Sequence, residues 1–129
     1  MSDANLALVC ALYAAQSRGD LETYLSLLAH DFVMHIPGRS QIAGDNVGID
    51  DMRRHFKEIK ELSAGTFKTG VHDVVAGAAH VVALVDARAE RGGVVHELPR
   101  VHVWHVRDGK LAEMWLQPLD QYAFDDYWG

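Results

Sequence analysis

Val101–Trp115, VHVWHVRDGKLAEMW, decides the fold. The runs on either side of Asp108-Gly109 are rich in Val and Trp, residues that suit a pleated, half-buried surface. Asp-Gly supplies the positive φ that a tight hairpin turn needs. Working outward, strands are expected over Val94–Arg107 and Lys110–Gln117. Gly92-Gly93 forms a second hairpin turn back to a strand over His80–Arg91, and Gly77-Ala78 separates that strand from one over Thr66–Ala76.

The N-terminal half carries the other periodicity. Ser2 or Asp3 caps a helix whose apolar positions Leu6, Val9, Cys10, Tyr13 and Ala14 recur at three-to-four spacing, placing Cys10 as inert packing. Gly19 fits the residue just past a helix end, and Asp20 caps a second short helix carrying Leu21, Tyr24, Leu25 and Leu28. Asp31–Ile36 has strand character and stops at Pro37-Gly38. A Gly-rich polar loop follows. A third helix then opens at Asp50 or Asp51, buries Met52, Phe56, Ile59 and Leu62, and ends at Gly65. The tail from Asp120 to Gly129 spaces its aromatics as a short helix would, serving as cover or as a lid. Helices first and long antiparallel strands after give an α+β class, one domain over residues 1–129, with helices on one face of a curved sheet.

Composition narrows the partners. Eighteen acids against twelve bases leave a net charge of −6, and no basic cluster exceeds Arg53-Arg54, which argues against nucleic acid. The apolar run Leu6–Ala15 is too short to span a bilayer, so a soluble cytoplasmic chain without membrane contact is expected. The single cysteine, Cys10, excludes an internal disulfide and a Cys-based zinc site. The Val94–Arg107 strand is apolar on both faces, with Leu98, Trp104 and Val106 on one and Val95, Val101 and Val103 on the other. A strand with one wet face should alternate, so the second face is expected to meet another copy of the chain in a homodimer.

Four strings in this order resemble the nuclear transport factor 2-like superfamily, and within it SnoaL-like and ketosteroid isomerase-like proteins. They are RGDLE from Arg18, DFVMHIPG from Asp31, the Val101–Trp115 stretch, and DQYAFDDYW from Asp120. The resemblance implies a cone: three N-terminal helices closing one side of a bent sheet around a mostly apolar pocket, with a dimer through the outer face. It does not bring its chemistry intact. The isomerase base falls at Ile36, the isomerase tyrosine at Leu12 with Tyr13 one place off, and the neutral aspartic acid at His102. The acid of SnoaL-type cyclases should lie on the inner face of the last strand, where Met114 and Leu116 stand instead.

Eight histidines are the remaining lead, because imidazole titrates near neutral pH. At period two, Arg100, His102, Trp104 and Val106 share the pocket face. His102 is the first acid–base candidate and His35 the second, although strict alternation turns His35 outward if Ile36 points in. His105 faces away from His102, so the two are not a ligand pair, and no metal site or cofactor is expected. His30, His55, His72, His80 and His96 fall at helix surfaces, strand ends or exposed positions. Trp104, Tyr13, Arg100, Met114, Leu116 and Ile36 are the expected substrate-binding wall, Arg100 being able to grip a carboxylate. Two functions stay open: isomerase-, cyclase- or dehydratase-like chemistry on a small apolar or aromatic molecule, or a non-catalytic ligand-binding or dimerisation domain.

Overall fold

A computed structural model describes residues 2–129. Helices α1 (Ser2–Ser17) and α2 (Leu21–Ser26) lead into strand β1 (Leu28–Ile36), a short β2 (Gly44–Val47) and helix α3 (Gly48–Leu62). Strands β3 (Lys68–Ala76), β4 (His80–Arg91), β5 (Val94–Glu97), β6 (Arg100–Arg107) and β7 (Lys110–Pro118) follow, and α4 (Gln121–Trp128) closes the described chain. The seven strands make one curved, unclosed sheet in the order β2-β1-β7-β6-β4-β3, with β5 added to β4. Strand β1 runs parallel to β7, and the other pairs are antiparallel. This is the α+β architecture that the sequence implies.

Both hairpin turns form as their residues dictate. Gly92 and Gly93 have φ of 59° and 77°, and Asp108 and Gly109 have 52° and 73°. Two successive positive values match the right-handed twist of the flanking strands. Asp20 caps α2 by accepting from the Thr23 backbone N–H at 3.1 Å, and Asp120 caps α4 in the same way through Ala123.

Several boundaries differ from the sequence reading. The strand expected over Val94–Arg107 divides at Leu98-Pro99, since proline has no N–H for the ladder. The Gly-rich loop contains β2, which pairs with β1. The strand expected from Asp31 begins at Leu28, and that expected from Thr66 begins at Lys68. On α1 the buried stripe is Asn5, Val9, Leu12 and Ala15, and Cys10 is exposed. The run Leu6–Ala15 is apolar on all sides, so periodicity alone could not choose its inner face.

The core follows from alternation. Val81, Ala83, Val85, Ala87 and Ala89 of β4 point inward and are buried, their small volumes leaving room for the layer above. Phe32, Met34 and Ile36 of β1 and Trp104 of β6 meet them, with Val9 and Leu12 of α1 and Met52 of α3 laid over the top. A bulge in the β6–β7 pairing between His105 and Val106 puts both Leu111 and Ala112 inside. Because that bulge precedes them, Met114 and Leu116 keep the inward register. On the opposite face, Leu84 pairs with Val101, and Val103 lies between Val82 and Trp115.

Helix α4 seats Phe124, Tyr127 and Trp128 in the core, and its polar edge abuts Gly38, where φ is 102°. A Cβ at Gly38 would collide with the Asp125 carboxylate and the Gln121 amide. Gly38→Ala should therefore lower stability by about 1–3 kcal/mol, combining a strained φ with displacement of the Asp125 and Gln121 side chains. Urea denaturation measures it, and an unchanged midpoint would show that α4 does not depend on this contact.

Candidate functional site

The inner face of β6 supplies Arg100, His102 and Trp104 at period two, and all three are buried. Trp104 is fully buried, and its indole N–H can only donate. It donates to the Tyr13 hydroxyl of α1 at 2.9 Å. The Tyr13 oxygen also lies 2.7 Å from Nδ1 of His102. With the oxygen accepting from Trp104, the tyrosine proton is free to go to Nδ1, which leaves the ring proton of His102 on Nε2. Nε2 is buried and has no partner. Burial, and behind it the charge of Arg100, pushes His102 down to about 3, so the ring is neutral at physiological pH. Burial also raises the Tyr13 phenol well above its ordinary range, which keeps this proton on the relay.

Arg100 is 5% exposed. Its Nε donates to the Leu98 carbonyl at 3.1 Å, and its guanidinium lies over the rings of Phe67 and Phe124 at 5.2 and 5.3 Å. NH2 is buried without a partner, and among the described residues no carboxylate pairs with it. Burial draws this guanidinium down to about 10, so it still carries its charge at neutral pH.

Arg100 and His102 line an inner cavity of about 40 Å³ together with Met34, His55, Met114 and Leu116. No acid lines it. Gln16, Tyr24, Phe56, Ile59 and Phe67 line both this cavity and an open groove of about 530 Å³ between α1, α2 and α3. The cone is thus nearly filled at its closed end and wide at its mouth.

The expected wall is only partly the observed one. His102, Arg100, Met114 and Leu116 line the cavity. Trp104, expected beside them, lies behind the wall because its indole is turned to Tyr13. Tyr13 likewise acts through the His102 bond rather than as lining. Ile36 is buried but packs in the core beyond the cavity. His35 does not join His102, because alternation along β1 carries through to the Pro37 bend and turns its ring to the outer face. There Nδ1 meets Asp45 at 2.8 Å and Nε2 meets Glu113 at 2.5 Å, and the ring stacks on Trp115.

The sequence reading placed His55 among exposed histidines, but it is 8% exposed and lines the cavity. Its signal was present, since 52, 55 and 59 are three and four apart on the buried face of α3. Burial, then the charge of Arg100, pushes His55 down to about 4. The same ring borders a second recess of about 190 Å³ lined in part by Asp45, Arg54 and Glu58, so it stands between the cavity and polar surface. Arg100, by contrast, lies on the pocket face where the sequence reading placed it. Strand parity governs its placement. No described helix is long and apolar enough to cross a membrane, and no described cluster of three or more His, Cys, Asp or Glu is arranged to hold a metal ion.

The SnoaL-like domain family matches residues 9–114. The uncharacterized protein Rv0034 of Mycobacterium tuberculosis is 28% identical over 127 residues, covering 98% of this chain and 97% of the relative. Bal32a, from a soil-derived mobile gene cassette, superposes with a TM-score of 0.92 at 29% identity, covering 99% of this chain and 98% of Bal32a. TerC, co-crystallized with polyporic acid, shares the fold at a TM-score of 0.86 and 22% identity, covering 96% of this chain and 97% of TerC. Structures described as cystatin-like and NTF2-like belong to the same set.

Two outcomes test this arrangement. Tyr13→Phe removes the acceptor of Trp104 and the donor to His102, and should cost about 1–3 kcal/mol of stability. It should also release His102 from its single tautomer, read from ¹⁵N shifts of the ring; unchanged shifts would exclude the relay. On the outer face, Glu113 raises His35 above its ordinary 6.5, against burial and with help from Asp45. The folded state then holds a proton that the unfolded chain has released. Its stabilisation is complete below about 6.5 and is lost as pH climbs through the raised folded value. The melting-temperature gap between wild type and His35→Gln should shrink over that rise, and a gap independent of pH would contradict the ion pair.

Proposed function

We propose, starting from the fact that the chain belongs to the SnoaL-like domain family, that it binds a small apolar or aromatic molecule and performs isomerase-, cyclase- or dehydratase-like acid–base chemistry on it. The observation that carries this reading is the unpartnered Nε2 of His102 in a cavity wall, held as a donor by Tyr13 and Trp104. A buried neutral imidazole donating into the cavity stabilises oxygen charge as it develops, because its dipole is already oriented. The family's acids being absent from the lining, the proton acceptor is His55, neutral and reaching the same cavity from α3. Abstraction of a proton beside a carbonyl uses both: His55 takes the proton, and His102 hydrogen-bonds the enolate oxygen.

The absence of any carboxylate from the lining supports a second reading, a non-catalytic ligand-binding protein. In both readings, the ligand's body lies in the open groove and its reacting end in the inner cavity. The apolar outer face, with Val82, Leu84, Val101, Val103 and Trp115 on neighbouring strands, supports association of two copies.

A thermal-shift panel of steroids, polyketides, terpenes and aromatic acids tests the site. A ligand that stabilises the wild type should lose its effect in His102→Ala and keep it in His105→Ala, since His105 lies on the other face. Turnover of that ligand, abolished by His55→Ala, separates the enzyme from the binder. Equal loss in both His102→Ala and His105→Ala would refute the face assignment.

A further inference from the structure

We infer that the closed end of the cavity is a binding site for an anionic oxygen, a carboxylate or an ionised enol, carried by an aromatic or alicyclic body that occupies the groove. This rests on the small-molecule reading above and names the class of molecule. Its basis is a charge without a counter-charge. Arg100 is 5% exposed, has a single hydrogen bond, to the Leu98 carbonyl, and keeps NH2 buried and unpartnered. A guanidinium withdrawn from water and given only two aromatic faces is left at a large desolvation cost that an ion pair would offset. No described acid supplies that pair, so the ligand is the component that completes it.

Three further features agree. His102 Nε2–H, fixed by the relay through Tyr13, is a second orphan donor on the same wall, and two donors with no acceptor fit an oxygen anion. The cavity of about 40 Å³ holds about two or three water-sized atoms, the size of a carboxylate rather than of a ring. The groove leading to it is lined by Arg53, Lys57 and Lys60 against the single acid Asp20. Arg53 is engaged by Glu22, which leaves Lys57 and Lys60 as the steering charges. On a chain of net charge −6, a basic rim along a groove that leads to a buried arginine draws anions toward it.

Binding would also change the neighbouring base. The charge of Arg100 is the second cause, after burial, of the depressed basicity of His55 and of His102. An anion set against Arg100 cancels that contribution, so the ligand itself makes His55 a better proton acceptor.

Isothermal titration of the wild-type protein with 2-naphthoate, 4-hydroxycoumarin and 2-naphthamide tests the inference. The acid and the amide have nearly the same shape and differ in charge; the coumarin presents an acidic enol and distinguishes the two sources of anionic oxygen. Naphthoate or the coumarin should bind at least about tenfold more tightly than the amide, as a charge-assisted pair requires. Arg100→Gln should erase that ratio, Lys57→Gln with Lys60→Gln should slow association, and His55 should titrate at higher pH in the complex. Equal affinity for acid and amide, no binding of either anion, or a ratio retained in Arg100→Gln would overturn it. If Arg100→Gln does not fold, the wild-type comparison decides alone. A neutral ligand lost in His102→Ala would sink the anion assignment while leaving the proposed function standing; an anion held by Arg100 without turnover would do the reverse.

Discussion

The hydrogen bond from Trp104 to Tyr13 ties the helical layer to the sheet, and much of the molecule is arranged around it. A tryptophan at the centre of β6 brings a large apolar body and one N–H that is costly to leave unpaired when buried. No strand neighbour on that face offers an acceptor: Val81 and Met114 lie opposite Trp104 in the flanking strands. The acceptor must come from the layer above, and Tyr13 fixes the rotation of α1 by supplying it. Once α1 is so turned, Val9, Leu12 and Ala15 face the sheet and Tyr13 lies close enough to His102 to orient it. A packing requirement thereby sets the tautomer of a candidate chemical group two residues away.

The same inner surface holds a cation and two imidazoles with no acid among them, and its electrostatics follow from that. Arg100 disfavours a second positive charge nearby, so His55 and His102 stay neutral, one available to accept a proton and the other to donate a hydrogen bond. The usual solution for a buried arginine is an internal carboxylate. Here such a carboxylate would cancel the part that Arg100 adds to burial in lowering the basicity of the two rings. The orphaned donors are a destabilising feature of the isolated chain, and sites that break the rule of satisfied buried polar groups are where function concentrates.

The sheet was largely legible because period two and Gly-Gly or Asp-Gly turns are local signals: β4 begins and ends where the alternation places it. The parity of β6 also places Arg100 and His102 on one face from the sequence alone. What stayed hidden depends on neighbours distant in sequence. Tyr13 sits one residue from the position the family comparison favoured, about 100° round the helix. Leu12 takes the buried slot, while the longer Tyr13 reaches sideways to the sheet. His55 was hidden for another reason. Phe56 is the stronger hydrophobe and drew the stripe of α3 toward itself, although 52, 55 and 59 mark the inner face equally well. The break at Pro99 was written in the residue itself; its effect on pairing, which leaves β5 bonded only to β4, needed the topology.

Alternation gives one residue type two opposite roles in this sheet. His35 on the outer face gains two carboxylates and a raised pKa, a surface ion pair of modest worth. His102 on the inner face is buried with the charge of Arg100 nearby, and its pKa falls. Which of the two can act on a molecule inside the cone is decided by parity and burial, not by basicity in water. The apolar residues at the family's acid positions, Ile36, Met114 and Leu116, are therefore better read together with Arg100, His55 and His102 than as losses. Removing acids from a cone while burying a guanidinium at its closed end exchanges an anionic interior for a cationic one. The oxygen that such an interior holds most strongly is one that arrives already charged, or acquires its charge there.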